Sequence, residues 1–254
     1  MMNKVFIAMA AIMLLCLVLL AVLWVASPAS ASSIAEVSAF PLGTPATIDL
    51  AVILSTADLT ADSSVRSFQI RDNTRAITIY GTNAEIAAAL TGFDVGGIIE
   101  ISGQTAERDG ALVLVTSVGG FAVSGRTETL PLPSGAVVVS PSDITESYES
   151  NLVCLQNVSF ADDGTFASGS DYDLVGGSAM VRIATNDLGI AGLTIPSGPL
   201  NITGIVIPAD PLPDSGYRLA PRGVGDIVSV PEPASIVALL GGLVGLLGIR
   251  RRRA

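Results

Sequence analysis

Hydrophobic residues divide the chain into three zones. Continuous apolar runs cover residues 5–25 and 236–249, and the region between them contains short apolar stretches separated by Gly, Ser, Thr and Asp. Within this middle region, apolar and polar side chains alternate over residues 67–70 and 76–80, on either side of a turn-forming sequence at 71–74. Such alternation predicts half-buried strands. The middle region is therefore expected to be all-β.

The middle region contains the same order of predicted elements twice. Each copy consists of three strands, one connecting segment and two further strands. The connecting segment is Ala-rich and predicted to be helical at residues 84–90, and residues 185–193 take its place in the second copy. The best internal match aligns residues 98–103 with residues 199–204, and both end in glycine. A strand that bends sharply to close a small barrel favours a residue without a Cβ atom.

This order of elements is that of an OB-fold, a five-stranded Greek-key barrel. We therefore predict an all-β fold of two tandem small OB-like Greek-key barrels. Residues 43–45, 217–222 and 226–227 resemble segments of the tandem OB-like domains of bacterial secreted and surface proteins. A generic β-sandwich with similar strand spacing is the alternative.

Composition shifts divide the chain further. The apolar stretch at 136–139 lies among three prolines and predicts a linker with one added strand, and residues 142–148 are expected to form a short helix. The predicted divisions are a signal peptide (1–31), a first barrel (32–126), a linker (127–150), a second barrel (151–228) and a sorting tail (229–254).

The N-terminal zone has the pattern of a secretion signal. Lys4 supplies one positive charge before the apolar run, and the small residues Ala29 and Ala31 fit the site that signal peptidase reads. Cleavage is expected after Ala31. Because the apolar run is long enough to span a bilayer, an uncleaved anchor is the alternative. Cleavage would remove Cys16 and leave Cys154, which is expected to be a small buried hydrophobic residue.

The C-terminal zone has three parts in a fixed order. A Pro-rich segment comes first, an apolar helix is predicted over residues 236–249, and a basic cluster follows. The segment consists of Val230, Pro231, Glu232 and Pro233, and the cluster of Arg250, Arg251, Arg252 and Arg253. Arginines retained on the cytoplasmic side of a membrane act as a stop-transfer signal and place the body of the protein outside.

This tail resembles the PEP-CTERM sorting signal of Gram-negative bacteria that make extracellular polysaccharide. The resemblance implies that exosortase, a membrane enzyme, recognises the Pro-Glu-Pro motif and removes the helix. It also implies export, a transient stay in the inner membrane through the C-terminal helix, and a final location at the cell surface or outside the cell.

Charge makes nucleic acid an unexpected partner. Between Ser32 and Pro231 the chain carries 22 acidic residues against eight arginines, a net charge of −14, and it contains no lysine there. Binding to a phosphate backbone depends on neutralisation by Lys and Arg.

The residue types required for common catalytic sites are also missing. The chain has no histidine, which excludes Ser-His-Asp and Cys-His arrangements and removes the commonest zinc ligand. Paired carboxylates alone could hydrolyse glycosides, but the acidic residues here are spread over predicted turns. We expect no enzymatic activity and no cofactor, with calcium as the one candidate ion.

One acidic cluster carries that candidate. Asp162, Asp163, Asp171 and Asp173 surround a flexible loop containing Gly164, and Ca²⁺ takes six to eight oxygen ligands. The spacing matches no EF-hand, and a solvated acidic hairpin loop is the alternative.

Two classes of function remain open. The first is an exported surface or matrix component with a non-catalytic binding or structural role, and extracellular polysaccharide is its candidate partner through Tyr80 or Tyr217. The second is an accessory OB-fold module for an exported nuclease or other hydrolase. That role would favour a basic, aromatic face, which the composition does not supply. A third and minimal possibility treats the barrels as spacers.

Overall fold

The computed structural model describes most of the chain between the two apolar termini. The described residues are 31–60, 64–116, 120–126, 135–177, 179–184, 188–209 and 216–231. Within these ranges the strands form two seven-stranded sheets. The first sheet is built from residues 31–125 and the second from residues 137–229.

The first sheet contains a closed five-stranded barrel. Its strands are β2 (Pro45–Ser55), β3 (Val65–Arg71), β4 (Ala76–Thr82), β5 (Ile98–Arg108) and β6 (Ala111–Val115). The order is β2-β3-β4-β6-β5, and β2 also pairs with β5, which closes the ring. Only the β4–β6 pair in the ring is parallel. This is the predicted OB-like order.

Shorter elements complete the first barrel. Strand β1 (Ala31–Ser32) pairs in parallel with β2, and β7 (Ala122–Gly125) pairs with β5. Helix α1 (Ile34–Val37) was not predicted, whereas helix α2 (Asn83–Ala89) confirms the helix predicted between the third and fourth strands.

Helix α2 begins where its sequence supplies a cap. The Thr82 hydroxyl accepts a hydrogen bond from the Glu85 amide, and the Glu85 carboxylate accepts one from the Thr82 amide. This capping box satisfies donors that a helix leaves unpaired at its first turn. Ile86 is fully buried in the barrel core. The helix therefore plugs the barrel with an apolar residue.

The second sheet repeats the arrangement. Its strands are β8 (Val137–Val139), β9 (Leu152–Val158), β10 (Asp171–Asp173), β11 (Met180–Arg182), β12 (Leu200–Pro208), β13 (Tyr217–Ala220) and β14 (Ile227–Ser229). The order β10-β11-β13-β12-β9 matches that of the first barrel, with one parallel pair between β11 and β13. An isolated bridge between Phe160 and Leu174 connects the end segment of β9 to that of β10.

The second copy differs from prediction in its connecting segment. Residues 185–193 are expected to take the place of the helix in the second copy. That expectation is wrong for the described part, residues 188–193, which form turns instead of a helix. Gly189 and Gly192 have φ values of +73° and +87°, which lie in the left-handed region and interrupt a right-handed helix.

The junction between the barrels also differs in detail. The short helix expected at 142–148 is two separate 3₁₀ turns, Pro141–Asp143 and Glu146–Tyr148. The predicted added strand is β8, which pairs in parallel with β9 and so belongs to the second sheet.

Two glycines allow the fourth strand of each barrel to pass close to the fifth. A Cβ atom on Gly103 would lie 2.6 Å from the Val115 carbonyl oxygen, and one on Gly204 would lie 2.6 Å from the Ala220 carbonyl oxygen. Any side chain here would therefore collide with main-chain atoms. The interpretation of both glycines as barrel-closing residues is confirmed.

The two barrels pack against each other through an apolar cluster. Val52 and Leu54 of the first barrel meet Leu152 and Ile205 of the second, and all four are at most 4% exposed. Arg222 also donates a hydrogen bond of 2.8 Å to the Leu54 carbonyl oxygen. The interface therefore combines burial of apolar surface with a polar contact.

No helix within the described ranges is long and apolar enough to cross a membrane. The apolar runs at 5–25 and 236–249 lie outside those ranges. Cys154 is a free thiol in β9 and is half-buried rather than fully buried as predicted.

Candidate functional site

A polar cleft lies between the two barrels. It encloses about 540 Å³, within the usual range for small-ligand sites, and residues of both barrels line it. The cleft gathers charged and hydroxyl side chains from both copies of the fold, together with the aromatic ring of Tyr80.

The first wall is the outer face of β3 and β4. Successive side chains of a strand point to opposite faces. Phe68 and Ile79 point into the barrel core and are fully buried there. Their neighbours Ser67, Gln69 and Tyr80 therefore face outward and line the cleft. The alternation that predicted these strands also produces a polar wall.

The rim of this wall is formed by the hairpin that joins β5 and β6. Asp109 and Gly110 make its two-residue turn with φ values of +53° and +78°, a conformation that an Asp-Gly pair favours. This turn places the Arg108 guanidinium 5.1 Å from the centre of the Tyr80 ring. A cation at this distance is attracted by the aromatic face.

The Tyr80 hydroxyl remains protonated throughout the physiological range. Burial, and after it the nearby Asp109 carboxylate, raises the pKa of Tyr80 to about 12, while Arg108 opposes both effects. Tyr80 therefore offers a neutral hydroxyl group that both donates and accepts hydrogen bonds.

The second wall is a charged ladder across three strands of the second barrel. Asp171 on β10 lies directly opposite Arg182 on β11. Arg182 Nη1 lies 3.3 Å from Asp171 Oδ2, and Arg218 Nη1 on β13 lies 2.6 Å from the same oxygen. One carboxylate therefore holds two guanidinium groups at the cleft surface.

The floor of the cleft lies where the barrels meet. Thr78 Oγ1 and Ser150 Oγ share a hydrogen bond of 2.7 Å across the interface. Ser67 and Gln69 are each 1% exposed, and Gln69 Oε1 accepts no hydrogen bond from the described residues. The floor therefore contains a buried acceptor that has no donor among the described residues.

A second polar contact lies near the other side of the barrel junction. Tyr217 donates a hydrogen bond of 3.3 Å to Glu149 Oε2. Burial raises the pKa of Glu149, while Arg75 and the Tyr217 hydrogen bond oppose that effect. Burial and the neighbouring Glu149 also raise the pKa of Tyr217 to about 12. Glu149 is thus a desolvated acid whose charged form is disfavoured.

The predicted calcium ligands do not converge. Asp162 Oδ2 accepts a hydrogen bond from the Asp173 amide, Asp163 is exposed, and Asp171 pairs with two arginines. Among the described residues, no group of three or more acidic or cysteine side chains is arranged to hold a metal ion. The Asp162 and Asp171 carboxylates therefore serve different local contacts.

The predicted glycan-contact tyrosines are separated. Tyr80 lies in the cleft, whereas the Tyr217 hydroxyl is engaged by Glu149. Sequence reasoning missed Gln69, Arg182 and Arg218. Arg182 and Arg218 become neighbours through the pairing of β11 with β13, and Gln69 joins them in the cleft because the barrels pack together. The outward register of Gln69 was readable from the alternation of β3.

The processing sites fall at the edges of the described structure. Ala29 lies outside it, and Ala31 forms the first residue of β1, with Thr47 as its partner. At the other end, the Val230 amide donates a hydrogen bond of 2.9 Å to the Pro199 carbonyl, and Pro231 is exposed. Glu232, Pro233, and the arginine cluster at 250–253 lie outside the described residues.

Comparison with known proteins identifies the tail. Residues 229–253 match the PEP-CTERM protein-sorting motif. A search of curated proteins gave no match.

Comparison with solved structures gives only distant likenesses. The chain is similar to a murine DNA-binding protein bound to double-stranded DNA, with 10% identity and a TM-score of 0.39 over 74% of this chain and 97% of that one. It is also similar to a replication protein A heterotrimer bound to single-stranded DNA, with 12% identity and a TM-score of 0.34 over 60% of this chain and 40% of that one. At these TM-scores the likeness supports no conclusion about this chain.

Proposed function

We propose that this chain, which carries the PEP-CTERM sorting motif, is a component of the bacterial cell surface or extracellular matrix with a non-catalytic binding role. The motif at residues 229–253 is the observation that carries the proposal, because it supports export and processing by exosortase. Extracellular polysaccharide is the proposed partner, and nucleic acid is not proposed as one.

The proposed route begins with signal peptidase cleavage after Ala31. The apolar segment at 236–249 then holds the protein in the inner membrane, and Arg250–Arg253 stay on the cytoplasmic side. The second sheet ends at Ser229, and Pro231 is exposed two residues later. The recognition segment therefore begins directly at the surface of the folded domain, where exosortase can reach it.

The chemistry of the cleft supports binding rather than catalysis. A nucleophilic mechanism needs a base within hydrogen-bond reach of a hydroxyl or thiol, and the chain has no histidine. The Asp171 carboxylate is held by Arg182 and Arg218 at 3.3 and 2.6 Å. The one carboxylate that faces both arginines is therefore already engaged by two guanidinium groups.

The sorting step is tested by replacing Pro231, Glu232 and Pro233 with alanine in the native host. The variant is expected to accumulate in the inner membrane, whereas the wild-type protein is recovered outside it. Val228→Ala, at an exposed position just before the motif, is the matched control and should be sorted normally. Normal release of the triple variant would contradict exosortase processing.

The binding role is tested by co-sedimentation. Wild-type protein recovered from the host is expected to sediment with purified host polysaccharide, with or without Ca²⁺. Absence of sedimentation with any envelope fraction would contradict the matrix-binding role.

A further inference from the structure

We infer that the cleft between the barrels is a binding site for an uncharged saccharide segment. The inference rests on the proposed function for the source of that ligand, the extracellular polysaccharide. It adds the site and the chemical class of the sugar, neither of which follows from the sorting motif.

The cleft alternates hydrogen-bond donors and acceptors. Arg108 and Arg218 present guanidinium groups, which only donate, while Asp109 and Asp171 present carboxylates, which only accept. Tyr80 adds a neutral hydroxyl that does both. Sugar hydroxyl groups also donate and accept, so a sugar can use both kinds of partner. A ligand that only accepts, such as a phosphate diester, would give the two carboxylates no hydrogen-bond donor.

Charge supports an uncharged ligand. Three of the eight arginines between Ser32 and Pro231 line the cleft, and Asp109 and Asp171 offset two of them. The same segment carries a net charge of −14. An anionic polymer would therefore be repelled by the acidic molecule as a whole and attracted only by the one excess positive charge of the cleft. A neutral sugar does not meet this repulsion.

The floor of the cleft supplies an acceptor in need of a donor. Gln69 Oε1 is buried and accepts no hydrogen bond within the described structure, although its Nε2 lies 3.5 Å from Ser67 Oγ. A buried polar atom without a partner destabilises the folded state. Because Gln69 lines the cleft, a turn of its side-chain amide would bring this oxygen to a ligand hydroxyl and remove that cost on binding, which favours a ligand rich in hydroxyl groups.

The rim contributes an aromatic surface beside a cation. Arg108 is about a third exposed and lies over Tyr80 at the tip of a two-residue hairpin. Removal of the Arg108 side chain would uncover the Tyr80 ring but take away a hydrogen-bond donor. The hairpin tip lies outside both apolar cores. Substitution of Arg108 therefore tests the polar contribution of the rim to binding separately from the packing of the barrel.

The experiment uses mature protein recovered from the host and two ligand pools. Partial hydrolysis of the host polysaccharide, followed by anion exchange, gives neutral and anionic oligosaccharides, and a 15-nucleotide oligo-dT serves as the nucleic-acid probe. Binding is measured by calorimetry for the wild type, Gln69→Leu, Arg108→Ala and the control Arg126→Ala. Arg126 pairs with Asp49 and Glu100, and none of the three lines the cleft.

The neutral pool is expected to bind the wild type. Gln69→Leu and Arg108→Ala should each weaken that binding at least tenfold, and Arg126→Ala should not. Gln69→Leu should melt at the same temperature as the wild type or higher, because the change removes an unsatisfied buried group. Loss of binding without loss of stability would then separate a ligand contact from a structural role.

Four results would overturn the inference. Two are tighter binding of the anionic pool, or of oligo-dT, than of the neutral pool. The third is neutral-pool binding that the two cleft variants leave unchanged, and the fourth is absence of binding to either oligosaccharide pool. Each of these leaves the proposed function standing if the same preparation sediments with the intact polysaccharide and is processed at both ends.

Discussion

Substitution of Gly204 by alanine is expected to destabilise the second barrel strongly for so small a change. The added methyl would lie 2.6 Å from the Ala220 carbonyl oxygen and 2.8 Å from the Ala220 carbonyl carbon. These are main-chain atoms of β13, which pairs with β12 over residues 205–208. A flexible side chain could move aside, but this strand cannot move without disturbing its pairing with β12.

The expected loss of stability depends on the atoms that the added methyl group meets. Overpacking a well-packed site costs about 1–3 kcal/mol, and a main-chain obstacle places Gly204→Ala at roughly 2–3 kcal/mol of unfolding free energy. For a folded region of about 150–250 residues, a loss of about 1 kcal/mol in unfolding free energy lowers the melting temperature by roughly 2–4 °C. The variant should therefore melt about 4–12 °C below the wild type.

The matched control is Gly225→Ala. Gly225 lies in a 3₁₀ turn, and a Cβ atom there would meet nothing within 4 Å. Alanine at a compatible glycine stabilises by about 0.4–1 kcal/mol through the unfolded state. Circular dichroism melts of both variants are the assay. Equal melting temperatures for Gly204→Ala and Gly225→Ala would refute the argument that close approach of strands selects glycine here.

Further predictions concern the contacts between the barrels. Arg222→Ala removes a donor to the Leu54 carbonyl and a bidentate pair with Asp226, so we expect a loss of about 1.5–3 kcal/mol in chemical denaturation. If the variant had the same denaturation midpoint as the wild type, this contact would contribute nothing to stability. Because the pKa of Glu149 is raised above its ordinary 4.5 by burial, the folded state binds more protons than the unfolded chain, and stability falls as pH rises from 4.5 through the raised pKa. Glu149→Gln should flatten that fall in melts at pH 4 and pH 7, and an unchanged pH dependence would contradict the assignment.

The sequence was sufficient to predict features that depend on local pattern. Alternation located β3 and β4, an Ala-rich stretch located α2, and a glycine in each fourth strand indicated barrel closure. Each signal lies within a few residues, and each has a local physical cause.

Features that depend on packing between distant segments were not predictable. Helix α1 has only four residues, and Asp72, 38 positions away, accepts a hydrogen bond from its Ile34 amide. The ladder of Arg182, Asp171 and Arg218 requires three strands to lie side by side in the order 10-11-13. The cleft further requires the apolar contact between barrels, and no pattern within one barrel specifies that contact.

The central claim is that the protein is exported and processed at both ends. Intact-mass measurement of the protein recovered from the extracellular fraction of its native host tests this most directly. The account predicts a mass that begins at Ser32 and ends close to the Pro-Glu-Pro motif, before the apolar segment at 236–249. A mass that retains Arg250–Arg253, found only in membranes, would contradict it and show that the tail is a permanent anchor.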